Sequence, residues 1–143
     1  MPAQYLTDDF VRYMIAIGLM DSAGGVKKRP SQAKTGNYTI VTGTDPSGTV
    51  FTNRGAGASV TFTLPAPVPA LDGTVYEFYG VANQNLVVAG AAGGQIVTFN
   101  NAAAASVTCS TASQKIGAHM EATCDGTSWH VLGDTIGVTY TVA

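Results

Sequence analysis

Charge is what this chain has least of. Only 11% of its 143 residues are Asp, Glu, Lys or Arg, against about 25% in an ordinary soluble domain. So few charges suit a protein whose faces are covered by other subunits better than a freely diffusing monomer. The alternative is a compact β protein whose solvated face carries threonine in place of charge. A net charge of −2 argues against a nucleic-acid partner, which calls for a basic stripe to replace phosphate counterions. Long apolar runs are missing too. The longest, Val11 to Met20, is about half a membrane span and is broken by Arg12, so no membrane partner is expected. Cys109 and Cys124 are the only cysteines. They are too few for a disulfide framework and read as buried thiols of a protein made in a reducing cytoplasm. The start, Met1-Pro2-Ala3-Gln4-Tyr5, has no cationic stretch and is followed by Asp8 and Asp9, which predicts no signal peptide.

Groupings that carry chemistry are equally scarce. His119 and His130, taken with the two cysteines, match no zinc spacing, which places ligands in close pairs. Ser59 lies in Gly57-Ala58-Ser59-Val60-Thr61, which lacks the second glycine of a nucleophile elbow. Gly55 and Gly57 form a GxG fragment, but Val60 stands where a dinucleotide fingerprint needs glycine, so a turn is expected. The acids of the body stand singly, without the clustering of calcium loops or paired-carboxylate catalysis. The expectation is no enzyme, no metal and no cofactor.

What remains is a chain of one-domain length, rich in Ala, Val, Thr and Gly. It divides at about residue 36. Residues 1–36 read as an N-terminal arm. Through residue 35 they carry Arg12, Lys27, Lys28, Arg29 and Lys34 against Asp8, Asp9 and Asp21, a mildly basic balance; the rest is mildly acidic. Residues 7–20 predict the one helix, with Thr7 as cap, Asp8 and Asp9 at the positive end of its dipole, and Phe10, Val11, Met14, Ile15 and Ile17 on an apolar arc. That arc packs either on its own subunit or on a neighbour, with Tyr5 just ahead of it. Residues 21–36 read as a linker, whose Lys27, Lys28 and Arg29 are either a solvated connector or a contact for an acidic partner surface.

From 37 to 143 the pattern is short strands between turn residues, expected near 37–42, 48–53, 58–64, 74–80, 85–89, 95–99, 105–110, 116–124, 128–132 and 135–142. Val60-Thr61-Phe62-Thr63-Leu64 alternates apolar with polar. Val75-Tyr76-Glu77-Phe78-Tyr79 is apolar on nearly both sides, as expected of a strand covered on two faces. Ala89 to Gly94 and Asn100 to Ala105 read as alanine-rich turns that are either loop tips or subunit contacts. Around Asp125-Gly126 a hairpin puts Met120, Ala122 and Cys124 on the same face as Trp129 and Val131, with either a two- or a four-residue loop. With the shorter loop, His130 faces Glu121 across the outer surface. The fold class expected is all-β: a compact antiparallel sandwich or barrel, jelly-roll-like, of 8–10 short strands. Phe62, Phe78, Cys124 and Trp129 are its expected core anchors; the sharper alternative for Trp129 is a sugar-stacking platform.

The ordered series Val50-Phe51-Thr52-Asn53, Gly55 to Ser59, Val60 to Pro65, Gly73-Thr74-Val75-Tyr76-Glu77-Phe78, Asn85-Leu86-Val87-Val88 and Ala122 to Gly133 resembles small β-rich virion proteins of tailed bacteriophages. These include capsid decoration (cement) proteins, head fibres and parts of tail fibres. The resemblance implies a non-catalytic homotrimer located on the virion, at the capsid surface, after synthesis in the bacterial cytoplasm. The short body with its arm is more like a decoration protein than a fibre. The expected partners are then the major capsid protein and copies of the chain itself. The alternative is a tail- or head-fibre module binding a host receptor or glycan, for which Tyr76, Tyr79, Trp129 and Tyr140 are platform candidates.

Overall fold

The computed structural model describes residues 8–16, 18, 28–110 and 115–143. It is a β-sandwich with very little helix. One helix, α1 (Asp8–Ala16), precedes twelve strands: β1 (Ser31–Ala33), β2 (Tyr38–Thr39), β3 (Val50–Thr52), β4 (Val60–Thr63), β5 (Val75–Tyr79), β6 (Leu86–Ala89), β7 (Ile96–Thr98), β8 (Asn101–Ala104), β9 (Ser106–Cys109), β10 (His119–Cys124), β11 (Trp129–Gly133) and β12 (Tyr140–Val142). The larger sheet runs β1-β3-β5-β10-β11-β7-β8 and the smaller β12-β9-β6-β4-β2.

The sheets are mixed, where an antiparallel arrangement was expected. From β1 to β6 the chain changes sheet at every strand, so strands of one sheet that follow one another all run the same way. β1 pairs parallel with β3 and β3 with β5, while β2 pairs parallel with β4 and β4 with β6. This first half is a coil of two strands per turn, which a jelly roll is not. Antiparallel pairing enters later, when β9 lies against β6 and β10 against β5. Turn signals mark where strands end but not which sheet receives the next one, so the sequence missed the coil.

Between the sheets lies the core. Phe51, Phe62 and Phe78 are fully buried, with Phe62 contacting both others across the sandwich at ring separations of 5.3 Å. Alternation does this work: every second residue of β4, β6, β9 and β10 is buried. All four expected anchors are inside, Phe62, Phe78 and Trp129 with no exposure and Cys124 with 1%. Both cysteines are free and buried, and burial pushes the Cys109 thiol up to about 12, a value that makes it unreactive at neutral pH.

Two strands were not foreseen. β1 lies in the stretch read as linker, because its Ser-Gln-Ala sequence has no apolar alternation to announce it. It is an edge strand, paired Ser31 to Val50 and Ala33 to Thr52, so the sheet begins before residue 36. β8 lies in the stretch read as an alanine-rich turn. A tight reversal at Phe99-Asn100 folds it back onto β7.

Candidate functional site

The outward face of the larger sheet gathers the polar and aromatic side chains that the core excludes. Cross-strand register builds it: Glu77 lies opposite Glu121, Tyr79 opposite His119, Glu121 opposite Leu132, and His130 beside Val97. Two carboxylates directly opposed are unfavourable. Arg29 relieves this by pairing with Glu77 at 2.8 Å, while its Nε donates to the Gly48 carbonyl at 3.0 Å. Pro30 accepts from the Val50 amide at 2.9 Å. The chain at Arg29-Pro30 is therefore fixed to the sheet. The outer side of β5 is only partly covered, where cover on both faces was expected: Val75 and Glu77 are half-buried and Tyr79 is exposed, with Arg29 on Glu77 and the His119 ring 4.5 Å from Tyr79.

His119 anchors the loop after β11. Its Nδ1 lies 2.9 Å from Asp134, its amide donates to the Thr135 hydroxyl, and its carbonyl accepts from the Tyr140 hydroxyl at 3.0 Å. The Nε2 atom is buried, without a hydrogen-bond partner, 3.6 Å from a Glu77 oxygen. A catalytic triad would need a hydroxyl or thiol there. No group of three or more His, Cys, Asp or Glu among the described residues is arranged to hold a metal ion.

The β10–β11 hairpin takes the four-residue loop, pairing Cys124 with Trp129. His130 therefore faces Thr123 and not Glu121. Its ring instead reaches back to Asp125 at 2.7 Å, and Asp125 also accepts from the amides of Thr127 and Ser128 at 2.9 and 2.7 Å. The His130 hydrogen bond first, then the Ser128 and Thr127 amides, hold the Asp125 carboxyl down at about 2. A depressed folded-state value means stability that is present above the ordinary carboxylate range, about 4, and lost as pH falls to about 2. We expect Asp125→Ala to lower the melting temperature at pH 6, with the deficit shrinking between pH 4 and 2. Melting curves at both ends check this; a deficit unchanged at pH 2 would assign the effect to loop geometry alone.

Beyond His130 a pocket of about 350 Å³ opens along β7 and β8, lined by Val97, Phe99, Asn100, Asn101, His130 and Leu132 among others. Phe99 and Leu132 are 46% and 60% exposed. The Phe99 ring stacks on Tyr140 at 5.5 Å. Sequence reasoning missed this pocket. Only the backbone shows that Phe99-Asn100 forms a two-residue turn, where Asn-Gly is the ordinary pair.

Of the expected aromatic platform, Tyr76 and Trp129 are in the core and cannot present a face to solvent; Tyr79 is 38% exposed and Tyr140 half-buried. Of the arm residues, Phe10 is exposed and Met14 half-buried on α1, Lys28 and Arg29 are exposed, and Val11 and Ile15 lie on α1 with side chains outside the description. Thr7, Tyr5, Ile17 and Lys27 lie outside the described residues. Among those described, no helix is long and apolar enough to cross a membrane. No protein-family model matches the chain, and no curated protein matches it.

Proposed function

We propose that this protein is a non-enzymatic structural subunit of a bacteriophage particle, a capsid decoration protein that assembles as a homotrimer and binds the major capsid protein through its arm. The observation that carries this reading is the arm's construction. Its root is fixed to the body by β1 and by the Arg29–Glu77 pair. Its helix leaves Phe10 42% and Tyr13 60% exposed. An apolar helix surface of this kind is covered when another subunit takes it up. The low charge and the virion-like strand series support the same reading.

Two measurements test it. Sedimentation at micromolar concentration should give the mass of a trimer, and the intact chain should co-sediment with empty capsids of its phage. Exchanging Phe10 and Tyr13 for serine should leave the β circular dichroism unchanged and lower capsid occupancy about tenfold or more, the size of a lost aromatic anchor. A stable monomer that ignores capsids would sink the proposal. Truncation is informative only if it stops short of Arg29, because cutting to residue 30 also strips the root from the sheet.

A further inference from the structure

The pocket at β7 and β8 departs from ordinary hairpin construction in three ways at once. First, Thr98 pairs with Asn101 across a two-residue turn, and both turn residues have positive φ, Phe99 at 37° and Asn100 at 66°. Glycine adopts that backbone freely, and Asn tolerates it, but a bulky aromatic there is a strained outlier. Second, Ile96 pairs with Ala104 while Thr98 pairs with Asn101, so Val97 alone opposes both Ala102 and Ala103. That is a β-bulge, a device that re-aims side chains at sheet edges and sites. Third, the strained residue is a half-exposed phenylalanine rather than a small polar one. Strain and apolar exposure spent on one side chain point to a ligand.

Lining chemistry selects the ligand class. Phe99 offers a ring held in place by Tyr140 behind it. Val97 and Leu132 make an apolar wall, and Asn100, Asn101 and His130 bring polar groups around it. Within that set the Asn101 amide oxygen is already used by the Ala103 amide and one His130 nitrogen by Asp125; among the described residues nothing bonds the Asn100 side-chain amide. No lysine or arginine is among the described lining residues, and the carboxylate of Asp125 bonds the lining His130 while Glu121 lies opposite the lining Leu132, which disfavours an anionic ligand. The C–H face of a pyranose matches the negative face of an aromatic ring, its hydroxyls match amide and imidazole groups, and one such ring fits a pocket at the small end of ligand sites. We propose that this pocket binds a neutral pyranose sugar.

Its position agrees with the decoration reading, on which it rests only for where it would act. The arm enters at β1, one edge of the seven-stranded sheet, and the pocket lies over β11, β7 and β8 toward the other edge, about 19–29 Å away at ordinary strand spacing. A subunit held by its arm could thus keep the pocket clear of the attachment.

Isotope-labelled full-length protein titrated with N-acetylglucosamine, methyl α-mannopyranoside, methyl β-galactopyranoside and, as an anionic control, glucuronic acid tests the pocket by itself. At least one neutral sugar should shift the amides of residues 97–102, 130 and 132 saturably. Phe99→Gly, which suits the left-handed backbone, should weaken this about tenfold or more, the equivalent of one good contact. Should the glycine variant lose its dispersed spectrum, Leu132→Ser at an exposed strand position replaces it as the test. No saturable shift with any neutral sugar, preferential binding of glucuronic acid, or equal binding by both variants would overturn the proposal. None of these results depends on capsid binding or on oligomer mass, so the two readings fail separately.

Discussion

Replacing Trp129 by alanine is expected to remove about 3–5 kcal/mol of folding stability, the range for emptying an aromatic site in a packed core. Total stabilities run to only about 5–15 kcal/mol, so the loss is a large fraction of the whole. The indole sits where three parts of the chain converge. It starts the returning strand of the β10–β11 hairpin and pairs with Cys124 on one side. On the other it aligns in parallel with Ile96 of β7, and its amide donates to the Gln95 carbonyl. Its ring lies 5.8 Å from Tyr76, and its Nε1 donates at 2.8 Å to the carbonyl of Pro65. That last bond ties the proline-rich 65–69 segment over the end of the core. Trp129→Phe separates the two contributions, since it keeps most of the packing but orphans the Pro65 carbonyl, for a cost of about 1–2 kcal/mol. Urea unfolding followed by far-ultraviolet circular dichroism reads both, as the variants lack the only tryptophan. A loss below about 1 kcal/mol for alanine would mean that the site collapses around the gap, which close packing opposes.

Trp129 was legible because alternation around a strong turn signal fixes which face a side chain takes. Either loop length at Asp125-Gly126 puts Trp129 on the same face as Ala122 and Cys124, so the inward assignment did not depend on the turn, whereas the His130 partner did. The same logic placed Phe62 and Phe78. It could not find β1, whose Ser-Gln-Ala carries no period, nor the coil of β1 to β6, because parallel pairing joins strands more than twenty residues apart in some cases and leaves no local mark. Nor could it find the pocket. Phe99 read as the end of a strand and Asn100 as the start of a loop, and only the backbone shows both in the left-handed region. The charge and period change near residue 36 did not mark where the sheet begins, since residues 31–33 already pair with β3.

Asp45 shows the same limit more sharply, and it carries the second large effect. In sequence it is one member of the breaker Asp45-Pro46-Ser47-Gly48; in the structure it is fully buried. Its carboxylate accepts from the Gln32 amide of β1 at 2.5 Å, from the Tyr38 hydroxyl of β2 at 2.9 Å and from the Val41 amide at 2.9 Å, while its carbonyl accepts from the Tyr76 hydroxyl of β5 at 2.9 Å. One side chain thus joins the first strand of each sheet at the point where the arm enters. Asp45→Ala leaves three donors facing a cavity. Hydrogen bonds to a charged group contribute about 1.5–3 kcal/mol each, and orphaned buried donors add to the loss. The expected cost is about 3–5 kcal/mol, the range for breaking a buried charged network, with little dependence on salt because a buried site is poorly screened. Asp45→Asn should fall between, since one amide oxygen still accepts while its NH₂ meets the Val41 amide. Tyrosine ionisation gives an independent readout. Burial, then the Asp45 hydrogen bond and charge, raise the Tyr38 phenol above its ordinary 10, and burial with the Asp45 charge raises Tyr76. A raised folded-state value means stability that is complete below about 10 and is lost as pH climbs through the folded value. The native protein should therefore weaken in alkali above about pH 10, and in Asp45→Ala the Tyr38 phenolate should form at lower pH than in the native chain. If urea unfolding shows a loss under about 1 kcal/mol and the ultraviolet titration of Tyr38 does not move, Asp45 is not the tie between arm and body that its contacts describe.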